Sequence, residues 1–296
     1  MTPKEILLLV GTAFWWGAAY VFAALGLQGF SPILLVALRL ALASIALTVV
    51  LAAFGGGMRR ALDLVRARPG PVVVLGVTAS AAPFGLITSG QQYVAAGTTG
   101  VLIATVPLWT AVLGVWLDRG ETLGRRQAVG LAVGLAGVAL VVGVETVSTA
   151  REAAGAALIL LGAACVALGN FVARRLFRDD PPVPRALLTS AVAALVLAPG
   201  AATTAHVDLA IEPVVGLIGL ALGSTALLLV LTFRLIDAVG PRRAALAAYL
   251  APGFALLLAA VVLGEPITAA AVSGLALIVG GVALASRQAP GRPAQV

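Results

Sequence analysis

Cysteine, histidine and charge are what this chain has least of. One cysteine stands in 296 residues. A single thiol excludes an intramolecular disulfide and a cysteine metal cluster, and Cys165, inside an apolar run, reads as a small packing residue. Charged residues are 10% of the chain, against roughly 25% in a soluble domain. So few cannot cover a surface in water. No Asp, Glu or His falls in the middle of an apolar run, and the lone His206 lies between runs. Proton relays and intramembrane cation sites depend on such groups, so both are disfavoured. Nor is there an acid, base, nucleophile or ligand cluster from which an enzyme site or a cofactor site would be built.

What is abundant is apolar. Hydrophobic residues make up 61% of the sequence and the mean hydropathy is +1.09. They fall in runs of about 20, the length a helix needs to cross hydrocarbon. Ten runs can be marked, at about 5–25, 32–54, 71–93, 98–117, 126–144, 154–174, 185–204, 213–236, 243–263 and 268–286. The class is an all-α polytopic membrane protein. Lys4 and Glu5 precede the first run, but no small-residue cleavage site with a polar continuation follows, so it reads as a span and not as a signal peptide. Residues 287–296 read as a disordered tail.

The net charge of +7 does not point to nucleic acid, because the basic residues are scattered over short loops without interleaved aromatics. They point to orientation instead. Seventeen of the 19 Lys and Arg fall at the N-terminus, in alternate loops and in the tail; the other loops hold Arg151 beside Glu145, Glu152, Asp208, Glu212 and Glu265. By the positive-inside rule both termini are cytoplasmic. The expected partners are the lipid bilayer of a bacterial inner membrane and a small-molecule substrate; the oligomeric state is left open, a monomer included.

The chain also repeats itself. Pro107 to Leu140 and Pro252 to Leu284 share a pattern in which Glu121 pairs with Glu265, Gly130 with Gly274, Gly137 with Gly281 and Leu140 with Leu284, all 144 residues apart. Ahead of the glutamate the spacing is 145, and Gly76 to Gly97 matches Gly219 to Gly240 at 143. Such self-similarity means an internal duplication, read as a first unit over 1–146 and a second over 147–286. Five spans is an odd number, so the second unit must be inverted relative to the first. Inverted repeats recur in secondary transporters, with the substrate site near the midplane between them.

Several motifs carry a resemblance. Trp16-Gly17 in the first span, Arg39 in the second, and the two Pro-to-Glu blocks with their Gly-rich following helices resemble the ten-helix EamA branch of the drug/metabolite transporter superfamily, over nearly the whole length. The resemblance implies a carrier of amino acids, other metabolites or drugs. It further implies a central cavity lined by spans 1, 3, 4, 6, 8 and 9, with spans 5 and 10 peripheral. Span 1 lacks the mid-membrane glutamate that the small multidrug branch uses for proton-coupled export.

Polar and aromatic residues inside the spans are the candidates for function. Trp15, Trp16, Tyr20, Trp109, Asn170, Thr225 and Tyr249 are expected to line one cavity between the halves, mostly apolar and suited to an uncharged or zwitterionic solute of amino-acid size. Each has a plainer reading as packing or as an interhelical hydrogen bond. Arg39 reads as an anion contact or a gate, or, favoured here, as a clamp donating to backbone carbonyls. Gln91 and Arg234, repeat counterparts at opposite ends of spans 3 and 8, are candidate gates. Pro83, Pro107 and Pro252 each remove a backbone donor, and matched breaks across two halves point to a binding site. Glu121 and Glu265 open the last span of each unit, where a helix N-terminus favours negative charge. The function expected is a metabolite carrier, first of amino acids, working by alternating access. A membrane subunit without transport activity, or one that handles lipid, is the alternative.

Overall fold

The computed structural model describes residues 1–54, 57–117, 124–142 and 149–285. Glu121 and the tail after 285 lie outside them. Ten helical segments form the bundle: Pro3–Leu27, Pro32–Phe54, Pro69–Gly90, Ala96–Leu117, Arg125–Val141, Ala150–Leu176, Pro182–Thr203, Ile211–Val239, Leu246–Leu263 and Ala269–Ala285, spans 1 to 10. Eight are long and apolar enough to cross a membrane; Ala269–Ala285 is apolar and shorter. Hydrocarbon supplies no partner for a backbone N–H or C=O, so an apolar run in a bilayer must satisfy its backbone internally, as a helix does.

Local chemistry marks where helices begin. Span 1 starts with a reciprocal cap, Glu5 N donating to Thr2 Oγ1 at 3.4 Å and Thr2 N to Glu5 Oε2 at 2.8 Å. Span 6, which opens the second unit, starts the same way through Thr149 and Glu152, at 3.2 and 3.0 Å. Each pair satisfies two donors that the first helical turn would leave without partners.

The packing obeys a pseudo-two-fold. Span 5 packs on span 10 and span 2 on span 7, while spans 3 with 6 and 8 with 1 form equivalent pairs. At the 5–10 seam the equivalence reaches single atoms. A Cβ placed on Gly130 would lie 2.5 Å from the Gly281 carbonyl oxygen, and one on Gly281 2.5 Å from that of Gly130. Gly137 and Gly274 meet in the same reciprocal way, at 2.7 and 2.9 Å. Gly130 is the repeat counterpart of Gly274 and Gly137 of Gly281, so each contact is the image of the other. The chain is two inverted five-helix repeats.

Two features were not visible in the sequence. Spans 3 and 8 each contain a π-helical stretch, Val77–Ala81 and Gly219–Leu227, at corresponding places in the two repeats. A π-turn widens the helix and is frequent at functional sites. Pro83 follows the first of them, so its missing N–H falls where the regular ladder is already interrupted. Secondly, the segment after span 2 is not a plain loop. Gly57–Ala67 is an amphipathic helix that buries Ala61 and Leu64 while presenting Arg59, Arg60 and Arg66.

Candidate functional site

A cavity of about 440 Å³ lies between the repeats. Its walls follow helical periodicity. Span 4 contributes Gly100, Ile103, Ala104 and Pro107, and span 9 contributes Ala245, Ala248, Tyr249 and Pro252. Both sets have the i, i+3, i+4, i+7 spacing of one helix face. Each member of the first is 145 residues from its counterpart in the second, so the duplication maps one wall onto the other. Span 1 adds the stripe Trp16, Ala19, Tyr20 and Ala23, and span 3 adds Phe84, Ile87, Thr88 and Gln91. Val166 and Asn170 of span 6 and Ser224 and Leu228 of span 8 complete the ring.

The six spans expected from the resemblance all reach the cavity, and two others do as well. Arg39 enters from span 2, and Val279 and Val282 from span 10, so span 10 is not wholly peripheral. The two walls are not interrupted at the same place. Span 4 breaks at Ala104–Thr105, beside the lining, where Thr105 Oγ1 donates to Leu102 O at 2.6 Å. Span 9 breaks at Ala245 and runs on unbroken through Pro252. The prolines are matched across the halves; in the 145-residue register the breaks are displaced by about one turn.

The ends of the cavity also differ. Toward the face where spans 1 and 3 finish, Tyr20, Thr88 and Gln91 are buried. Gln91 Nε2 donates to Tyr20 O at 2.5 Å, joining spans 3 and 1. Glu265 accepts from Ala96 N at 2.8 Å and Gly97 N at 2.9 Å, so a carboxylate caps the first turn of span 4. Toward the N-terminal face, Asn170 and Ala245 are exposed. The cavity is sealed at one end and open at the other.

Its polar groups cluster at one corner. Arg39 is 7% exposed; its Nε donates to Thr225 Oγ1 at 2.9 Å and its guanidinium lies 4.3 Å from the centre of the Phe84 ring. Thr225 in turn donates to Leu220 O at 2.8 Å, within the π-helical turn. The backbone-carbonyl clamp expected for Arg39 is therefore not what is seen; a side-chain bond between spans 2 and 8 takes its place. Ser224 Oγ and Gln91 Oε1 are buried without a hydrogen-bond partner. Among the described residues no acidic side chain lines the cavity.

Of the residues singled out in the sequence, Trp16, Tyr20, Asn170 and Tyr249 line the cavity, as do Arg39, Gln91, Pro107 and Pro252. Thr225 touches it through Arg39. Trp15 and Trp109 do not line it. Trp15 faces span 8, in the space left by the missing side chain of Gly223, and stacks on Phe22 at 6.1 Å. Trp16 lies on the stripe with Ala19, Tyr20 and Ala23; Trp15, about 100° round the helix from it, falls outside that stripe. Trp109 is two positions past Pro107 and faces away for the same reason. Arg234 is exposed and outside the lining, Pro83 is buried behind it, and Glu121 lies outside the described residues. Phe84 and Thr88 were missed, although they continue the stripe to which Gln91 belongs.

Comparison with known proteins places this geometry among its relatives. The model of the EamA-like transporter family matches residues 3–143 and again 153–287. A probable terminal-alkyne amino-acid exporter of Streptantibioticus cattleyicolor is 30% identical, over 98% of this chain and 95% of its own. The uncharacterised transporter YoaV of Bacillus subtilis is 23% identical over 94% and 95%. The uncharacterised inner membrane transporter YedA of Escherichia coli is 28% identical over 60% and 56%. A crystal structure superimposes with a TM-score of 0.66 at 20% identity, covering 97% of this chain and 98% of that one.

Proposed function

The chain belongs to the EamA-like transporter family, and on that premise we propose that it carries a small zwitterionic or uncharged metabolite, an amino acid first, across the inner membrane by alternating access. The observation that carries the proposal is the cavity between inverted repeats, walled by matched stripes of spans 4 and 9. Two copies of one fold, interrupted at different points of the 145-residue register, surround a cavity sealed at one end and open at the other. Exchange of the two arrangements between copies would open the opposite end. The amino acid and the direction, export, rest on the name of the Streptantibioticus relative. The direct test is uptake of a panel of labelled metabolites by liposomes holding the purified protein. Amino-acid uptake above that of empty liposomes supports the reading; none for any solute sinks it in favour of a non-transporting membrane subunit.

Orientation is part of the proposal. The arginine-rich face is taken as cytoplasmic, which makes this conformation inward-open. Several arginines there also bond carbonyls near helix ends: Arg68 Nη1 to Leu176 O at 2.7 Å, Arg175 to Leu117 O, and Arg185 Nη1 to Phe177 O at 3.0 Å. Cysteines introduced one at a time at Arg60, Arg125, Arg178, Arg242, Glu152 and His206, in a Cys165→Ala background, should divide cleanly. An impermeant maleimide added to intact cells is expected to label positions 152 and 206 alone. Labelling at 60 or 242 would reverse the orientation.

Coupling follows from the lining. With no carboxylate or imidazole on the cavity wall among the described residues, transport is expected to proceed as facilitated diffusion or exchange and to ignore an imposed pH gradient. Glu265 lies toward the sealed end, and it is engaged in capping span 4. Accumulation driven by a pH gradient alone, and abolished by Glu265→Gln, would show that proton coupling runs through that cap.

A further inference from the structure

Among the described residues Arg39 is the one cation on the cavity wall, and its charge has no counter-charge there. We propose that Arg39, together with Ser224, is the anchor for a single carboxylate on the transported solute, so that the protein selects zwitterions over the amines, amides and esters that share their side chains. The proposal rests on the carrier reading above and specifies what its site recognises.

The guanidinium has five N–H donors in a planar fork. One, at Nε, is spent on Thr225 Oγ1, which fixes the plane of the group. Thr225 can hold it because its own proton is committed to Leu220 O, leaving the oxygen lone pairs facing Arg39. Phe84 covers one face of the guanidinium. The Nη donors make no hydrogen bond to any described residue. A buried cation in this state is expensive unless something pairs with it, and the partner that matches two parallel N–H groups is a carboxylate.

Ser224 supplies the second observation. The residue is 3% exposed, lines the same cavity and adjoins Thr225 in the chain, and its hydroxyl is buried with no hydrogen-bond partner. Buried hydroxyls are normally satisfied, so an unpartnered one lining the same cavity as an unpaired guanidinium, next in the chain to the residue that holds it, marks where an acceptor goes. The opposite walls complete a zwitterion. Pro107 has no N–H to give Ile103 O, and Pro252 none to give Ala248 O, and all four residues line the cavity. Two carbonyl dipoles on symmetry-related walls suit an ammonium group where no acid is present. With a single cation available, one negative charge is the limit, and phosphate esters and dicarboxylates are excluded.

The experiment uses the full-length protein in liposomes. Each of the twenty common amino acids is tested for uptake. Every one that is carried is then competed against by its own primary amide, methyl ester and decarboxylated amine. We expect the acid to compete better than all three by roughly ten- to a hundredfold, the scale of a charge-assisted pair. In Arg39→Gln that ratio should collapse toward one, while Arg39→Lys should keep part of it. Should Arg39→Gln fail to fold, Ser224→Ala should shrink the ratio, and the competition in the parent protein decides the matter unaided. An amide that competes as well as its acid, or a ratio unchanged in Arg39→Gln, overturns the carboxylate anchor while leaving the carrier reading intact. Absence of uptake for all twenty amino acids, with some other solute carried, also overturns it. No uptake of any solute removes the carrier reading as well.

Discussion

Replacing Gly130 by valine is expected to abolish recovery of folded, monodisperse protein, whereas Gly280→Ala should leave it as stable as the parent or slightly more so. Both are glycines in the last spans of the repeats, and only their surroundings differ. A Cβ at 130 would sit 2.5 Å from Gly281 O and 2.7 Å from Ala285 N. These are backbone atoms, which cannot turn aside as a side chain can. Spans 5 and 10 would have to separate, opening the reciprocal contact of Gly137 with Gly274. Overpacking usually costs about 1–3 kcal/mol where side chains can adjust; with backbone on both sides the cost should lie at or above the top of that range. In a membrane, small residues at such seams provide the close approach that holds helices together. Gly280 has nothing within 4 Å of its Cβ position, so alanine there adds only helix propensity, about 0.5–1 kcal/mol in its favour. Fluorescence-detected size exclusion after a temperature ramp reads both. Gly130→Val eluting and melting like the parent would mean that the two helices do not meet backbone to backbone.

The second large effect concerns transport. Ala104→Trp should reduce uptake to that of empty liposomes, while Trp109→Ala should leave the initial rate near that of the parent. Ala104 stands on the span 4 stripe that faces the cavity, and its counterpart on span 9 is Tyr249, already large. A second bulky ring on the wall that the duplication matches to that of Tyr249 would fill much of a 440 Å³ space. Trp109 is five residues further along the same helix, on a face that does not line the cavity. From the sequence alone Trp109 was the stronger candidate, since an aromatic at depth departs from the usual interfacial placement. The paired result therefore separates the tertiary arrangement from the sequence reading. Normal transport by Ala104→Trp, or loss in Trp109→Ala at equal reconstituted protein, would move the pathway to another face of span 4.

Much of the architecture was legible because it rests on two one-dimensional signals. The apolar runs locate the spans, since hydrocarbon admits only a backbone that bonds to itself. The duplication, with an odd number of spans per copy, implies the inversion. The reciprocal glycines at the 5–10 seam then follow from the 144-residue register. What escaped were elements whose signal is not hydropathy. The basic helix Gly57–Ala67 averages out as polar over its length, although its apolar face is continuous. The π-helical stretches have no composition of their own.

Which residues meet was a different matter. Position along a helix can be counted from sequence, and so Tyr20, Asn170 and Tyr249 were legible as polar groups inside the spans. Facing cannot be counted, because in an apolar span every side is hydrophobic and the helical period loses its contrast. Trp15 and Trp16 look equivalent in the chain and stand on different faces of span 1. Arg39 was legible as an intramembrane charge. That its Nε is held by Thr225, 186 residues away, and that the rest of its fork is left unpaired in the cavity that Ser224 also lines, depends on how spans 2 and 8 cross. The sequence by itself determined the membrane class, the ten spans, the duplication and its inversion, because each is set by local hydropathy and register. Only the tertiary structure decided the cavity, its sealed end and its polar corner, because these depend on the rotation of each helix about its own axis, which close packing of small residues sets.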